Sequence, residues 1–423
     1  MPEFHANPVK LQQLEQICAK AYLVGGAVRD QLLGLEVTDK DWVVTGTTPE
    51  QMTEAGFKPV GSDFPVFLHP KTGEEYALAR TERKEGRGYT GFSVCADPTV
   101  RLEDDLARRD LTINAIARAP NGELIDPFDG QHDLAQRQLR HVSAAFSEDP
   151  LRVLRVARFA AKLHPFGFTL APETRRLMVQ MSQSGELSAL TPERVWLETQ
   201  KALSCTHPQR YFEILREVGA LPAVFPEIDA LFGVPQPEQY HPEIDSGIHT
   251  LLVLKQTAAL TTDINTRFAA LCHDLGKACT PKAELPRHVG HEQRGEKPVR
   301  ALCARLRVSK ATRELALATT LMHGRIHRAC EMRPATLVDL LDQLDAYRRW
   351  QRVLDILTVC HADTRGRPGY EQNDYPQAER IKAAFEICQA ISPQALIKAG
   401  LHGAEIGKAL REKRIAALKQ AQI

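Results

Sequence analysis

The segment from residue 23 to residue 41 constrains the fold of this chain more than any other part of the sequence. A short apolar strand ends at Val24, and Gly25-Gly26 then allow a tight turn and a close approach of the backbone to a ligand. Residues 27–33 carry the apolar periodicity of a helix, whose first N–H groups would point at whatever lies over the glycines. The pattern predicts a strand–turn–helix unit with an anion site at the turn.

One arginine and two carboxylates follow this turn. Arg29 lies in the first turn of the predicted helix, where its charge suits a bound anion. Asp39 and Asp41 are two residues apart on a predicted strand, so their side chains leave the same face. Paired carboxylates repel each other unless a divalent cation bridges them, usually Mg²⁺ with phosphate oxygens of a substrate. Either motif alone is usually a plain turn or a solvated strand end, but their succession favours a nucleotide and metal site.

The fold class follows from a change of pattern near residue 148. Before about residue 130, strand-like and helix-like segments alternate, and Glu74–Arg80 is a further predicted strand. Segment 83–99 is rich in Gly and charge, which predicts a mobile loop. After residue 148 the pattern is helical almost throughout. The chain is therefore predicted to be α+β, with an α/β head and a small sheet followed by helices.

Composition limits the class of protein. A chain of 423 residues with a net charge of +1 is expected to form several domains. It contains no apolar run long enough to cross a membrane and begins without the pattern of a signal peptide. Its 9 cysteines include no Cys-x-x-Cys pair, which predicts a reducing, cytoplasmic location. Basic residues cluster in 137–162 and from Lys398 onward, which is compatible with binding one RNA molecule.

Two arginine-rich motifs are further candidates for nucleotide contact. In Arg108–Ala115, an arginine beside Asp110 is placed to face a phosphate. In Glu148–Phe159, three arginines at three-residue spacing share one helix face, and Asp149 lies one turn before the first of them. Like charges in a row repel each other, so a phosphate partner is a natural reason for the arrangement. These arginines are Arg152, Arg155 and Arg158.

A second candidate site is built from histidine and aspartate. His273-Asp274 follows an apolar run, and His249 lies 24 residues upstream of His273. Such ligands suit a borderline divalent metal such as Ni²⁺, Co²⁺ or Mn²⁺. A metal-bound hydroxide at this site would attack a phosphate ester. The further candidates, with the weakest last, are His323, Asp363, His288 and His291.

These motifs together resemble a known family. Gly25–Asp30 followed by Asp39-Lys40-Asp41 resembles the head of the class II nucleotidyltransferases of the DNA polymerase β superfamily. With Arg108–Ala115, Glu148–Phe159 and the His273-Asp274 doublet, the chain is similar to CCA-adding tRNA nucleotidyltransferases that carry an HD phosphohydrolase domain. The resemblance implies a polymerase-β-like head with a small mixed sheet, followed by an all-α neck, body, HD domain and tail.

The expected boundaries are those of five segments. They are an N-terminal extension (1–20) without an assigned function, the nucleotidyltransferase head (21–147), a helical neck and body with the nucleotide-selecting helix (148–245), the HD phosphohydrolase domain (246–347) and a helical, tRNA-binding tail (348–423).

By resemblance, the head uses Mg²⁺ held by Asp39 and Asp41 to transfer CMP and AMP from CTP and ATP to the 3′ end of tRNA, releasing pyrophosphate. The family implies that Asp149 and Arg152 read the Watson–Crick edge of the incoming base, and that Asp110 and Asn114 brace the site. Glu75 could be a third carboxylate of the metal site or a surface residue of its strand. The residues expected to contact the nucleotide are Gly26, Arg29, Arg109, Asp149, Arg152, Arg155 and Arg158.

The resemblance also implies that the HD domain hydrolyses phosphate esters, as a 2′,3′-cyclic phosphodiesterase, 2′-nucleotidase or phosphatase, with Ni²⁺ or another transition metal. Its implied ligands are His249, His273 and Asp274, with His323 and Asp363 as additions. Two alternatives stay open: a poly(A) polymerase, and an HD phosphohydrolase whose N-terminal domain only binds. The expected partners are tRNA, ATP and CTP, without a membrane, for a monomer or homodimer.

Overall fold

The structure is a computed structural model that describes residues 8–37, 39–60, 66–84, 92–398 and 400–423. The chain divides into two compact units. One unit consists of the residues up to Arg194 together with Glu217–Ala220, and the other of Val195–Arg216 together with Leu221–Ile423.

The N-terminal unit is built on a mixed sheet. Its main sheet has the strand order β3-β4-β5-β2-β1-β8-β9, in which β2 and β5 are parallel and the other neighbours antiparallel. The short strands β10 and β11 pair in parallel, and β6 pairs with β7 as a hairpin. The strands are β1 (Ala21–Val24), β2 (Asp41–Val44), β3 (Lys58–Val60), β4 (Val66–Leu68), β5 (Glu75–Leu78), β6 (Thr81–Lys84), β7 (Phe92–Cys95), β8 (Ala117–Arg118), β9 (Leu124–Ile125), β10 (Gln138–Leu139) and β11 (Thr169–Leu170).

Helices cover both faces of this sheet. The helices up to the start of the second unit are α1 (Pro8–Cys18), α2 (Gly26–Leu32), α3 (Pro49–Glu54), α4 (Leu102–Ala107), α5 (Gly130–Ala135), α6 (Leu151–Leu163), α7 (Pro172–Gln183) and α8 (Pro192–Leu203), with short 3₁₀ helices at Thr112–Asn114 and Ala144–Glu148.

The alternation of strand side chains explains the two layers. Val44 packs in one apolar cluster with Leu14 and Ile17 of α1, whereas its neighbour Val43 packs in another with Leu106 of α4. Both clusters are buried, so each face of the sheet has its own core. Helix α1, in the predicted N-terminal extension to which no function was assigned, therefore packs against the sheet of the head.

The loop predicted for 83–99 differs in part from the structure. Thr81–Lys84 and Phe92–Cys95 pair as antiparallel strands, because ladder hydrogen bonds between segments that are close in sequence outweigh the polar composition. Residues 85–91 lie outside the described residues.

The C-terminal unit is helical. Its helices are α9 (Gln209–Glu217), α10 (Leu221–Val224), α11 (Pro226–Asp229), α12 (Ser246–Leu260), α13 (Ile264–Cys272), α14 (His291–Arg305), α15 (Lys310–Ile326), α16 (Pro334–Gln343), α17 (Trp350–Arg365), α18 (Pro376–Gln389), α19 (Pro393–Lys398) and α20 (Ala404–Gln420). None of the helices in the described ranges combines the length and apolar character needed to cross a bilayer.

Five of these helices form a bundle. The helices α12, α13, α15 and α17 contact one another, and α14 packs on α15. Asp245, Asp263 and Ser309 cap the first turns of α12, α13 and α15 with side-chain oxygens, which fixes where these helices begin. In sequence, α17 follows the boundary predicted at residue 347, and it packs in this bundle. The predicted boundaries stay predictions.

Candidate active sites of the two units

The glycine turn of the head brings two guanidinium groups close to the backbone. Gly25 has a φ of 69°, and a Cβ atom at this position would lie 2.9 Å from Nη1 of Arg109. A Cβ atom at Gly26 would lie 3.4 Å from Nη2 of Arg29. The turn therefore requires glycine at Gly25 for both its backbone angle and its contact with Arg109.

The carboxylates of the head collect beside this turn. In the sheet register, Asp41 is the partner of Val24 on one side and of Glu75 on the other. Asp41 and Glu75 thus begin adjacent parallel strands, with their side chains on the same face. Both are exposed, as is Asp39 two residues earlier. The structure therefore brings the three carboxylates to the end of the sheet at which β2 and β5 begin, next to the glycine turn.

The neighbouring glutamate has a different role. Glu74 accepts a hydrogen bond of 3.0 Å from Nε1 of Trp42 and pairs with Nζ of Lys40 at 3.3 Å. Because successive strand residues face opposite sides, Glu74 is held away from the face of Glu75. This alternation makes Glu75, and not Glu74, the candidate third carboxylate. Carboxylate oxygens at an exposed edge fit Mg²⁺, which keeps waters and substrate oxygens as its other ligands.

Arg29 is held inside the head. Its side chain is buried, with Nη1 donating to Oδ1 of Asn114 at 2.6 Å and Nε donating to Oδ1 of Asp30 at 2.8 Å. Lys162 of α6 binds the other oxygen of Asp30 at 3.0 Å. The predicted phosphate contact of Arg29 stays a prediction, and the structure shows a guanidinium fixed under the glycine turn.

Asp110 and Asn114 join the turn to the arginine helix α6. Asn114 donates its amide to Oδ1 of Asp110 at 2.9 Å, and Arg155 binds Oδ2 at 2.7 Å through both Nε and Nη2. Burial alone would raise the pKa of Asp110, but the charges of Arg155 and Arg158 and the hydrogen bond from Asn114 hold it well below its usual range. Asp110 therefore stays ionised and orients Arg155.

Arg109 also depends on a buried acid. Asp105 is fully buried, and its two oxygens bind Nη2 of Arg108 at 2.6 Å and Nη2 of Arg109 at 3.2 Å. Burial favours a raised pKa for Asp105, but the two arginines lower it below its usual value. Sequence reasoning did not single out Asp105, although Asp at position i with Arg at i+3 and i+4 on a helix is a recognisable signal.

The two residues expected to read the base are both fixed by other groups. Arg152 is buried, and its Nη1 and Nη2 donate to the carbonyl oxygens of Ala145 and Arg108 at 2.7 and 2.5 Å. Asp149 accepts the N–H of Leu151 at 3.0 Å and pairs with Nη2 of Arg194 at 2.8 Å. Sequence reasoning did not place Arg194 at this site. The structure makes Arg194 the partner of Asp149.

The predicted HD ligands converge in the C-terminal unit. Candidate ligand atoms of His249, His273 and Asp363 lie within 4.8 Å of one another. Nε2 of His249 is 3.0 Å from Oδ1 of Asp363, and Nε2 of His273 is 3.2 Å from Oδ2 of Asp274. All four residues are buried. Nε2 of His273 has no hydrogen-bond partner among the described residues, which is the state of a nitrogen that a metal would coordinate.

A second group shares one of these ligands. Asp274, His291 and His323 also bring candidate ligand atoms within 4.8 Å of one another. Oδ1 of Asp274 lies 3.3 Å from Nε2 of His291 and 3.5 Å from Nε2 of His323, while Oδ2 faces the first group. Asp274 can therefore bridge two metal positions. His291, the weakest candidate from the sequence, is placed with the ligands, because α14 packs on α15 and brings it to His323.

The remaining polar residues hold the aspartates in place. His327 binds Oδ2 of Asp363 at 2.7 Å and accepts or donates a hydrogen bond with Tyr375 at 2.9 Å. Nζ of Lys277 lies 2.6 Å from Oδ2 of Asp274. Burial would raise the pKa of both aspartates, but the imidazoles around Asp363 and the His273 and Lys277 groups around Asp274 keep each pKa well below its usual range. Both aspartates are therefore ionised.

Three protein families match the chain in order. Residues 21–140 match the poly A polymerase head domain. Residues 167–232 match a family described as "probable RNA and SrmB-binding site of polymerase A", and residues 247–347 match the HD domain.

Solved structures match the chain along nearly its whole length. The Bacillus stearothermophilus CCA-adding enzyme in complex with CTP is 25% identical, with a TM-score of 0.65, over 99% of this chain and 94% of that one. The chain thus contains a poly A polymerase head domain followed by an HD domain, and it resembles CCA-adding enzymes along nearly its whole length. The Thermotoga maritima CCA-adding enzyme complexed with tRNA shares the fold at 20% identity and a TM-score of 0.62, over 97% of this chain and 92% of that one.

The resemblance to CCA-adding enzymes with an HD domain and the fold class, both predicted from the sequence, are confirmed. The head and the HD domain both come from metal-dependent families, and the described residues contain candidate metal-binding groups. The roles assigned to individual site residues stay predictions.

Proposed function

We propose that the chain adds and repairs the 3′-terminal CCA of tRNA, using CTP and ATP without a nucleic-acid template. One observation carries this proposal: Asp41 is the sheet neighbour of both the glycine-turn strand and Glu75, beside two fixed guanidinium groups. That arrangement suits a metal-bound triphosphate. The fold shared with the CTP-bound CCA-adding enzyme supports the choice of substrate.

The chain would position the triphosphate rather than react with it. Asp39 and Asp41, with Glu75 as the candidate third carboxylate, would hold Mg²⁺, which when bound polarises the α-phosphate and lowers the pKa of the tRNA 3′-hydroxyl. The backbone at Gly26 and the side chains of Arg29 and Arg109 would neutralise phosphate charge. Arg155 and Arg158 of α6 lie near Asp110 and would add positive charge to the site, so pyrophosphate would leave from an electropositive surface.

Base selection would depend on Asp149 and Arg152. Cytosine N4–H₂ and adenine N6–H₂ are both donors, which a carboxylate accepts, whereas guanine and uracil present carbonyls at that place. A base that brings a carbonyl oxygen to Asp149 in place of a donor would forgo that hydrogen bond, at a cost of about 1–3 kcal/mol, which is enough to disfavour the wrong bases. The contacts of Asp149 with Arg194, and of Arg152 with two carbonyl oxygens, support this role because they fix both side chains before the base arrives.

We further propose that the HD site is a dinuclear phosphohydrolase site. His249, His273, Asp274 and Asp363 would hold one metal, and Asp274, His291 and His323 the other, with Ni²⁺ or another transition metal suited to the imidazole donors. Metal at this site supplies a hydroxide at neutral pH and shields a phosphate ester. The candidate substrates are 2′,3′-cyclic phosphates, 2′-nucleotides and simple phosphomonoesters.

Partners and domain roles follow the same proposal. The predicted five segments, with tRNA held partly by the tail, are consistent with the tRNA complex of the Thermotoga maritima enzyme. Not every basic residue of the tail is available for RNA, since Arg411 pairs with Asp339 and Arg414 lies buried over the ring of Tyr347. Phosphate contacts would then fall to the exposed lysines of α20, namely Lys408, Lys413 and Lys419.

A poly(A) polymerase is the second candidate function, because the head matches that family by description. The two functions are separated by incubating tRNA that lacks its 3′ end with each labelled nucleotide and Mg²⁺. Addition of two C and one A, without G or U, is the expected result. Long A runs would replace the proposal with a poly(A) polymerase. No incorporation would leave an HD phosphohydrolase with a binding-only head.

A further inference from the structure

Glu243 is a buried acid beside the HD ligands that the proposed chemistry does not use. It precedes α12, and its side chain is only 2% exposed. Its Oε1 atom lies 2.8 Å from Nδ1 of His249 and 2.9 Å from Nδ1 of His241. Among the described residues, no lysine or arginine pairs with it. Burying a carboxylate without a cationic partner costs free energy, so the burial of Glu243 beside two imidazoles needs a physical reason.

The contact with His249 has a direct chemical consequence. The other ring nitrogen of His249, Nε2, lies in the metal group, 3.0 Å from Oδ1 of Asp363 and 3.8 Å from Oδ2 of Asp274. If Nε2 of His249 binds a metal, its ring proton would lie on Nδ1, where Oε1 of Glu243 is close enough to accept it and would make Nε2 a more basic ligand. His241 contacts the same oxygen from the other side, and the rings of His241 and His249 meet edge to face at 4.7 Å. The three residues thus form one rigid arrangement.

We propose that Glu243 is a positioning residue of the HD site: it fixes the tautomer and ring orientation of His249 so that Nε2 is presented to the metal, with His241 holding the carboxylate in place. This inference rests on the proposed HD metal site. Oε1 of Glu243 shares a hydrogen bond of 2.9 Å with Nδ1 of His241, which supports the second part of the proposal.

A different role for the same residues has to be separated from this one. Ligand atoms of His241, Glu243 and His249 also lie close enough to hold a cation of their own. In that case, removing the carboxylate would remove one bound ion. Under our proposal, removing the carboxylate would weaken the binding of an ion that other residues coordinate. Metal stoichiometry and metal affinity together distinguish the two.

The experiment compares Glu243→Gln with Glu238→Gln in the full chain. Glu238 lies in the same segment but is exposed, so the control removes the same charge without touching the site. Both are made in an Asp41→Ala background, so that the head contributes no ion. Ni²⁺ affinity and stoichiometry are measured by competition with a chelating dye, and thermal unfolding of the metal-free chain checks folding.

We expect Glu243→Gln to weaken Ni²⁺ binding about 10- to 100-fold, with full stoichiometry and phosphatase activity restored at high Ni²⁺. Glu238→Gln should match the parent. An unchanged Ni²⁺ affinity in Glu243→Gln would overturn the proposal. It would also be overturned if the variant lost one Ni²⁺ that excess Ni²⁺ does not restore, while the remaining Ni²⁺ ions bound with the affinity of the parent. If the parent itself binds no Ni²⁺, the HD metal site fails, not only the role of Glu243.

A second variant covers the case in which Glu243→Gln does not fold. Glu243→Asp keeps the charge but shortens the side chain by one methylene, so its Ni²⁺ affinity should fall between those of the parent and Glu243→Gln. An Asp variant that folds and binds Ni²⁺ as tightly as the parent, at every Ni²⁺ concentration, would argue against a requirement for the position of this carboxylate.

Discussion

The head presents its carboxylates at the exposed end of strands β2 and β5, whereas the HD unit places its candidate metal ligands among packed helices. Asp39, Asp41 and Glu75 are exposed, and the buried polar groups of the head are the acids that hold its arginines. In the HD unit the ligands themselves are buried, including His249, His273 and Asp274. An open carboxylate edge suits Mg²⁺ that is completed by substrate oxygens, and a closed imidazole cluster suits a resident transition metal.

This contrast teaches where each site takes its specificity. In the head, the proposed metal ligands are plain carboxylates, and the surrounding ion pairs, such as Asp110 with Arg155, would determine how a nucleotide is oriented. In the HD unit, the proposed ligand set itself would define the chemistry. Variants that affect one site and leave the other intact test the contrast directly.

Asp41→Ala should produce the largest effect. Loss of a metal ligand removes several kcal/mol of charge stabilisation, so CMP incorporation into tRNA should fall about 10³-fold or more. Phosphatase activity of the same preparation should be unchanged. The exposed Glu54 of α3 provides a control, Glu54→Ala, that should keep both activities. Loss of both activities in Asp41→Ala would contradict two independent sites.

His291→Gln should lower phosphatase activity about 100-fold, because it removes one of three ligands of the second metal position and a metal contributes several kcal/mol. Titration should show one Ni²⁺ fewer per chain than in the parent. Incorporation of CMP should not change. His402→Gln, at an exposed position of the same unit, is the matched control. An unchanged Ni²⁺ stoichiometry in His291→Gln would indicate a single metal.

Asp110→Asn should destabilise the head by about 2 kcal/mol at neutral pH, because a buried charged partner of Arg155 is lost. Because the pKa of Asp110 is lowered in the folded state, the stabilisation from its charge is fully present at pH values well above the unfolded-state pKa of about 3.9. This stabilisation is lost as the pH falls further below that pKa. Thermal unfolding from pH 7 to pH 3 should therefore show a smaller acid-induced loss in the variant. Glu123→Gln, at an exposed carboxylate, should follow the parent; equal pH profiles for Asp110→Asn and the parent would refute the assignment.

Gly25→Ala should lower CMP incorporation about 10-fold, because it combines a strained φ of 69° with a Cβ atom 2.9 Å from Arg109. Gly122→Ala isolates the first cause, the strained backbone. Gly122 also has a positive φ, of 89°, but a Cβ atom there would meet nothing within 4 Å. It should lose stability without losing activity. Equal activities for the two variants would show that the approach of Arg109 to the turn does not matter.

Glu75→Gln should have the smallest effect, an increase of about three- to tenfold in the Mg²⁺ concentration for half-maximal incorporation, because one negative charge leaves the metal site. Glu74→Gln changes the neighbouring residue, whose contacts are with Lys40 and Trp42, and should leave the Mg²⁺ requirement unchanged. The same requirement in both variants would return Glu75 to the surface of its strand.

Some of the molecule was determined by the sequence itself. Local patterns predicted the turn at Gly25-Gly26, the strand at Asp41 and the arginine helix α6, since backbone freedom, side-chain alternation and helical spacing act between residues close in the chain. The His273-Asp274 doublet likewise marked the HD site. Where local composition pointed to a loop over 83–99, pairing of β6 with β7 prevailed.

The tertiary structure decided which distant residues complete each site. Parallel register set Glu75, and not Glu74, beside Asp41; helix packing brought Asp363 to His249 across 114 residues, and Arg194 to Asp149 across 45. A one-residue shift of register turns every side chain of a strand to the opposite face of the sheet. The packing of a helix's apolar face likewise determines where its ligand residues lie. Long-range packing sets both, so nearby sequence could name these residues only as candidates.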